Sequence, residues 1–475
     1  MSSSLEQSSS TPYVSSYSKR SPLGALFSRT LPSYSGQYPV GVHDVELSIP
    51  KQSFGNFKHI SMPDAEAGLT IDTVMFTLFY PATSPHDTSR QAVWFPRLRQ
   101  TIDGFLKMAK RTPNCIYRAI AYLTAAAAIW GTAFPAIENA PLMSPPPSVS
   151  KWPVIIFSHG VGCSRLMYSA FCGEMASRGY VVVAIEHRDG TGPSSRITAE
   201  GGIERDFYWL DWSDLQYAKH LQMSVLVLLT HTSWVDLEEQ PKNDTTLRHV
   251  QLEVRKAELE HVIRAVYRIS QSEQVPQTRF SRGAWDWTPW TCIDPSNPIM
   301  TGHSFGGSLA LAAAASGSFH FSHVIVFDPA TQRLTPWKGQ ISSPLLTINS
   351  EEFSLGAEFT VLQEVATTAS SWHTFLLRTY KDILMSLILI FLKAGATHPA
   401  FSDVFLILPD CINRLVGLAA DPLHIIGLTI DTVVKFLESG TEDAWEEVRR
   451  VDSRVVVSGG LRNLGELIKV QPTSS

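Results

Sequence analysis

Apolar residues fall along this chain in short unbroken runs. Val154–Ser158, Val181–Ile185, Pro298–Thr301, His323–Phe327 and Leu345–Asn349 are each four or five residues long and separated by longer stretches of helical periodicity. Strands of this kind have no wet face, so the pattern predicts a mainly parallel α/β sheet flanked by helices on both sides. Upstream, Val45–Ile49 and Thr73–Tyr80 read as strands, the second stopped by Pro81. Helices are predicted around Tyr168–Arg178, at Leu215–Leu229 and over Thr246–Ile269. In the last, Val250, Val254, Ala257, Val262, Val266 and Ile269 lie near one face.

The run Ala119–Ile137 carries no charge and is entered through Thr112 and Pro113, a good cap and first-turn pair. Its 19 residues could span a bilayer. A single crossing there would strand the flanking sheet segments on opposite sides, so spanning is rejected. Two readings remain: a buried helix, or one that seeks a lipid interface. Ile383–Leu392 is apolar too, but too short to cross. The domain reading is a flexible Ser-rich leader over 1–36, a main domain over 37–440 with apolar helical insertions at about 111–147 and 363–394, and a tail over 441–475, partly helical.

Composition narrows the function. A net charge of −5 leaves no basic footprint for nucleic acid. Charged residues are 17%, below the ~25% of ordinary soluble domains, which fits deep burial or lipid contact. The five cysteines have no Cys-x-x-Cys pair and suggest neither a disulfide framework nor a zinc site. No apolar secretory run opens the chain, so an intracellular, cytoplasmic protein is expected.

The chemistry centres on Gly302-His303-Ser304-Phe305-Gly306-Gly307, between a predicted strand and the Ala-rich helix former 308–315. A strand, a turn too tight for side chains on either side of a serine, and a helix make a nucleophile elbow, and the helix N-terminus favours an oxyanion. Ser304 is the candidate nucleophile. Such a serine needs a base and an orienting carboxylate, in α/β-hydrolases in the order Ser, acid, His. Asp328, ending the strand 323–327, is the candidate acid; Asp382, Asp410 and Asp421 sit in or beside helical sequence. His373, His398 and His424 qualify as base by order. His424 falls in a helix first turn, His373 opens an apolar run predicted helical, and His398 sits in the loop Gly395–Pro399. The glycine-rich segment Ser158-His159-Gly160-Val161-Gly162 would supply an oxyanion donor, so the Val161 and Phe305 amides are the candidates. His159 and His187 read as structural histidines. Trp285, Trp287 and Trp290 pack under a loop or form an interfacial belt. No cluster has metal-ligand spacing, and no cofactor is implied.

The strings FSHGVGCSRLMYS (157–169), RGYVVVAIEHRDG (178–190) and GHSFGG (302–307) resemble the Ca²⁺-independent platelet-activating-factor acetylhydrolases, the lipoprotein-associated and intracellular type II phospholipases A2. So do YPVGVHDVELSI (38–49), PLLTINSEEF (344–353) and GATHPAFSDV (395–404). The resemblance covers most of 38–410. It implies an α/β-hydrolase fold and serine-dependent removal of short or oxidised sn-2 acyl groups from phospholipids at a lipid surface, with peripheral membrane contact. It sets Ser304 as nucleophile, Asp328 as acid, His398 rather than His373 as base, and Val161 and Phe305 as oxyanion amides. The stretches 111–147 and 363–394 depart from the family pattern.

Overall fold

The computed structural model describes residues 19–471 apart from 56, 60–67, 84–89, 111–114, 217–242, 276, 278–284, 378–397, 419, 440–449 and 453–466. Its main sheet contains β1 (Val40–Phe54), β2 (Leu69–Pro81), β3 (Gln91–Val93), β4 (Ala133–Glu138), β5 (Trp152–Ser158), β6 (Val181–Glu186), β7 (Ile293–His303), β8 (Val324–Phe327), β9 (Leu345–Ser350), β10 (Trp372–Leu377), β11 (Arg450–Asp452) and β12 (Leu467–Gln471). The spatial order is β11-β12-β10-β9-β8-β7-β5-β6-β2-β1-β4-β3. Neighbours from β6 through β10 run parallel, while β2 pairs antiparallel with both β1 and β6.

The all-apolar runs are used on both faces. Val154 and Ile156 of β5, Val181 and Val183 of β6, and Val324 and Val326 of β8 enter one core. Their alternates Ile155, Phe157, Val182, Ala184, Ile325 and Phe327 enter the other. The first is closed by α4 (Thr245–Ser270) through Leu259 and Val262 and by α5 (Phe305–Ala315) through Leu309. The second is closed by α3 (Ser169–Ser177) through Phe171 and Met175 and by the helix Pro422–Ser439 through Ile425 and Val433. Truncating a fully buried strand residue such as Ile155 to Ala would cost about 2–5 kcal/mol.

Several expectations need correcting. Residues 19–36 are not a free leader: Ala25 N–H donates to Ile407 O at 3.0 Å, and Leu31 N–H to Ala133 O at 2.9 Å. The Arg20 guanidinium donates to Phe405 O and Leu406 O, each at 3.0 Å, and pairs with Asp410. Composition alone misleads here, because the partners that order this segment are distant in sequence: residues 405–410 for Arg20 and Ala25, and Ala133 for Leu31.

The run 119–137 is two elements. α2 (Cys115–Ile129) stops before Gly131, whose φ of +71° lets the chain turn back, and β4 follows. Ile116, Tyr117, Ile120 and Leu123 of α2 are exposed, so the buried-helix alternative is wrong. Within 363–394, Trp372–Leu377 is a strand beside β9 rather than part of a helical insertion. Within 441–475 the described pieces are β11 and β12, strands rather than helix, paired beside β10. The predicted helix at 215–229 begins with a two-residue strand, Leu215–Gln216, against Lys58–His59. Its remainder and Ile383–Leu392 lie outside the described residues. Trp287 and Trp290 are buried and Trp285 stacks on His43 at 3.8 Å, so the tryptophans pack inside.

Candidate active site

β7 ends at His303 and α5 begins at Phe305, leaving Ser304 alone on the corner at φ +55°, ψ −122°. A side chain held in that strained region persists only where its surroundings enforce it. Here Ser304 N–H donates to Phe327 O at 2.9 Å, and Ser304 O accepts from Ala330 N–H at 3.0 Å and Ser308 N–H at 3.1 Å. The flanking glycines are obligatory for space: a Cβ at Gly302 would run into the Gly306 carbonyl, and one at Gly306 into the Ser158 carbonyl. Among the described residues the half-buried Ser304 hydroxyl has no hydrogen-bond partner.

The same bonds tie the elbow to the turn after β8, where Asp328 sits at φ +40° and is fully buried. Asp328 Oδ1 accepts Ser350 N–H at 2.7 Å. Oδ2 accepts Ser350 Oγ–H at 2.6 Å and lies 3.0 Å from His398 Nδ1. His398 opens the turn His398–Phe401, and its ring is 4.5 Å from that of His303, the residue preceding Ser304. The structure thus brings Asp328, His398 and the elbow together. His373 lies elsewhere: it pairs with Leu346 near the start of β9, at the opposite edge of the sheet from Ser350.

His303, Asp328 and His398 offer three ligand atoms within 4.8 Å of one another, the spacing of a cation site. Asp328 is held by two donors from Ser350 and lies against His398, and His303 Nδ1 is 2.7 Å from Tyr168 Oη. Burial and the nearby His398 hold the His303 ring well below the usual imidazole range, so it stays neutral beside its neighbour.

The segment after β5 faces the serine: a Cβ on Gly160 would stand 2.9 Å from Ser304 Cβ. Neither the Val161 nor the Phe305 N–H has an acceptor among the described residues. Two unspent donors beside a strained serine are the raw material of an oxyanion hole.

The sequence signature described as platelet-activating factor acetylhydrolase, isoform II, matches residues 23–456. The chain belongs to this family. A platelet-activating factor acetylhydrolase from Gallus gallus is 22% identical over 422 residues, covering 84% of this chain and 87% of its own. One from Canis lupus familiaris is 26% identical over 279 residues, covering 58% and 54%. A putative phospholipase A2 from Schizosaccharomyces pombe is 33% identical over 177 residues, covering 37% and 36%. Among solved structures, a ferulic acid esterase from Streptomyces cinnamoneus aligns over 86% of this chain and 92% of its own at 15% identity, with a TM-score of 0.49. The chain is an ester hydrolase.

Around the family's motif residues lies a buried polar frame that sequence reading missed. Ser350, inside the string NSEEF, clamps Asp328. Asp403 holds the segment that carries His398: its carboxylate accepts Ser169 N–H at 2.8 Å, Ser169 Oγ–H at 2.6 Å, Ala170 N–H at 3.0 Å and Trp94 Nε1–H at 3.0 Å. Burial pushes its carboxyl up to about 6 against these bonds. Arg255 of α4, fully buried, pairs with Asp189 at 2.7 Å and donates to His159 O at 2.6 Å. The buried pair Arg255–Asp189 joins a helix with a charged sequence to the EHRD string, a partnership that spacing alone does not reveal.

Proposed function

We propose that this enzyme hydrolyses the sn-2 ester of phospholipids bearing short or oxidised acyl groups, with Ser304, His398 and Asp328 as its catalytic triad. The observation that carries the reading is the His398–Asp328 hydrogen bond beside the strained serine. Asp328 Oδ1 accepts Ser350 N–H and Oδ2 accepts Ser350 Oγ–H; in the proposed triad Asp328 is the ionised acid, so His398 Nδ1 carries the hydrogen that faces it and Nε2 is left basic.

Ser304 Oγ attacks the sn-2 carbonyl carbon as its proton passes to His398 Nε2. The carbonyl oxygen becomes an oxyanion facing the Val161 and Phe305 N–H groups and the positive end of α5. Collapse breaks the bond to the glycerol oxygen, which leaves with the proton from His398, and the acyl group stays on Ser304. Water then gives its proton to His398 and attacks the acyl carbon. The carboxylic acid departs and the proton returns to Ser304.

Contact with lipid belongs to the same proposal. Ile116, Ile120 and Leu123 form an exposed stripe on α2 at helical spacing. The other side of α2 is tied to α1 (Leu98–Met108) through Arg118 and Tyr122 on Asp103, at 2.8 and 2.6 Å. The proposed contact is a peripheral one through this face; no helix among the described residues is long and apolar enough to cross a membrane.

The test compares hydrolysis of an sn-2-acetyl phosphatidylcholine, its long-chain analogue and a triglyceride by wild type, Ser304→Ala and His398→Ala. Fast acetyl release that both substitutions abolish is expected. Preference for the triglyceride would turn the reading to a neutral lipase. Full activity in either variant would end it.

A further inference from the structure

Gly160 and Val161 share one peptide plane, with the Gly160 carbonyl and the Val161 N–H at opposite ends of it. Whatever grips the carbonyl oxygen therefore aims the N–H. The grip is a side chain: His159 Nδ1 lies 2.8 Å from Gly160 O. On the far side of the same ring, Nε2 is 3.1 Å from the backbone N–H of His187. A backbone N–H can only donate, so Nε2 must be bare, and Nδ1 must carry the hydrogen that Gly160 O accepts. The tautomer is forced by its neighbours.

We infer that His159 is a positioning residue for the oxyanion hole, orienting the Gly160–Val161 peptide so that its N–H points at the developing negative charge on the acyl oxygen. The inference rests on the reading of Val161 as an oxyanion donor. Three further observations support it. First, the ring is fully buried and cannot swing away. His187, which supplies the opposing N–H, is itself fixed between Ser158 Oγ at 2.7 Å and Glu258 Oε2 at 2.6 Å. Second, burial and the Arg255 guanidinium lower the His159 imidazole to about 4, so it remains a neutral single donor over the working range. Third, the other end of Gly160 is held as well. Tyr168 Oη accepts the Gly160 N–H at 3.3 Å and lies 2.7 Å from Nδ1 of His303, next to the nucleophile. Gly160 is thus clamped from both sides, and the Tyr168 jaw joins it to the elbow.

Two substitutions separate this role from plain packing. Asn at 159 keeps an N–H donor near the Nδ1 position but cannot reach His187. Gln reaches toward His187 and can accept its N–H, but leaves Gly160 O unserved. On a soluble p-nitrophenyl ester, His159→Gln should lower kcat about 10²–10³-fold, the usual loss for an oxyanion donor, with KM within about threefold. Its affinity for a trifluoromethyl ketone, which forms a tetrahedral adduct on the serine, should fall by a similar factor. His159→Asn should stay within about tenfold of wild type in both. The reverse order, with Gln near wild type or Asn the worse of the two, would overturn the inference. If either variant fails to fold, Tyr168→Phe removes the second jaw at nearly constant shape. A loss of about tenfold in kcat at unchanged KM is expected there, and no change would count against the clamp. Ser304→Ala runs alongside: activity surviving in it defeats the parent reading. Its loss, combined with a fully active His159→Gln, defeats the inference alone.

Discussion

Gly160→Ala asks how closely the oxyanion segment must approach the nucleophile. Gly160 does not occupy the left-handed region, so alanine brings no backbone strain. The added methyl would stand 2.9 Å from Ser304 Cβ and 3.3 Å from His303 Nδ1. Carbon pairs rest at ~3.5–4.0 Å, so the segment and the elbow must part by about 0.6–1 Å. The elbow is pinned by three backbone hydrogen bonds and the segment by Tyr168 and His159, so under the proposed mechanism the shift is read as displacement of the Val161 N–H from the acyl oxygen. A misplacement of about 1 Å costs on the order of 10²-fold in rate, or about 2.7 kcal/mol of barrier. Overpacking should cost about 1–3 kcal/mol of stability. The assay is kcat/KM on a soluble ester together with the rate of fluorophosphonate labelling, each set against the melting temperature. Gly356→Ala serves as control, since its methyl would meet only Phe353 O at an ordinary 3.5 Å. A Gly160→Ala enzyme within threefold of wild type in both rates, with an unmoved melting temperature, would refute the close-approach argument.

Three more outcomes are expected. Asp328→Asn must turn an NH₂ toward one of three donors, which either opposes Ser350 N–H or flips the His398 tautomer, so kcat should drop about 10⁴-fold with the fold retained; a loss below tenfold would remove Asp328 from the triad. Burial raises the Glu258 carboxyl to about 8, so between about 4.5 and 8 the folded state holds a proton that the unfolded chain has released. Wild-type stability therefore falls relative to Glu258→Gln as pH rises through that window, by up to about 1.4 kcal/mol per unit, and guanidinium midpoints that move in parallel for the two proteins would contradict this. Ile120→Glu and Leu123→Glu should each cut partition onto phosphatidylcholine vesicles about tenfold while sparing turnover of a soluble ester; unchanged partition would exclude α2 as the contact.

The corner at Ser304 was legible because its steric demands are local. Gly302 and Gly306 announce a corner that no other residue fits, and Asp328 ends an apolar run where a sheet of this kind presents its chemistry. The choice between His373 and His398 was not local. Both lie downstream of the acid, and only sheet register puts the former at the wrong edge. The strand at 372–377 reads as the start of a helix because its apolar character continues into 378–392, and period alone cannot place a boundary inside such a run. The strands of the C-terminal segment and the packing of 19–36 share a cause: each acquires order from distant partners, β10 in one case and Ala133 with residues 405–410 in the other. The polar frame of Arg255, Asp189, Glu258 and Asp403 stayed hidden for the same reason. Charges on an amphipathic helix read as solvated until the element that buries them is known.

The grip of Arg20 on residues 405–410 also bears on timing during synthesis. Arg20 leaves the ribosome before the elbow, and the elbow before residues 405–410. A nascent chain can therefore shape its serine corner while residues 405–410 are still untranslated, and the strap has nothing to close on until Asp410 emerges. The strap around Arg20 is thus among the last pieces of the fold to settle, although it is made long before the residues that hold it.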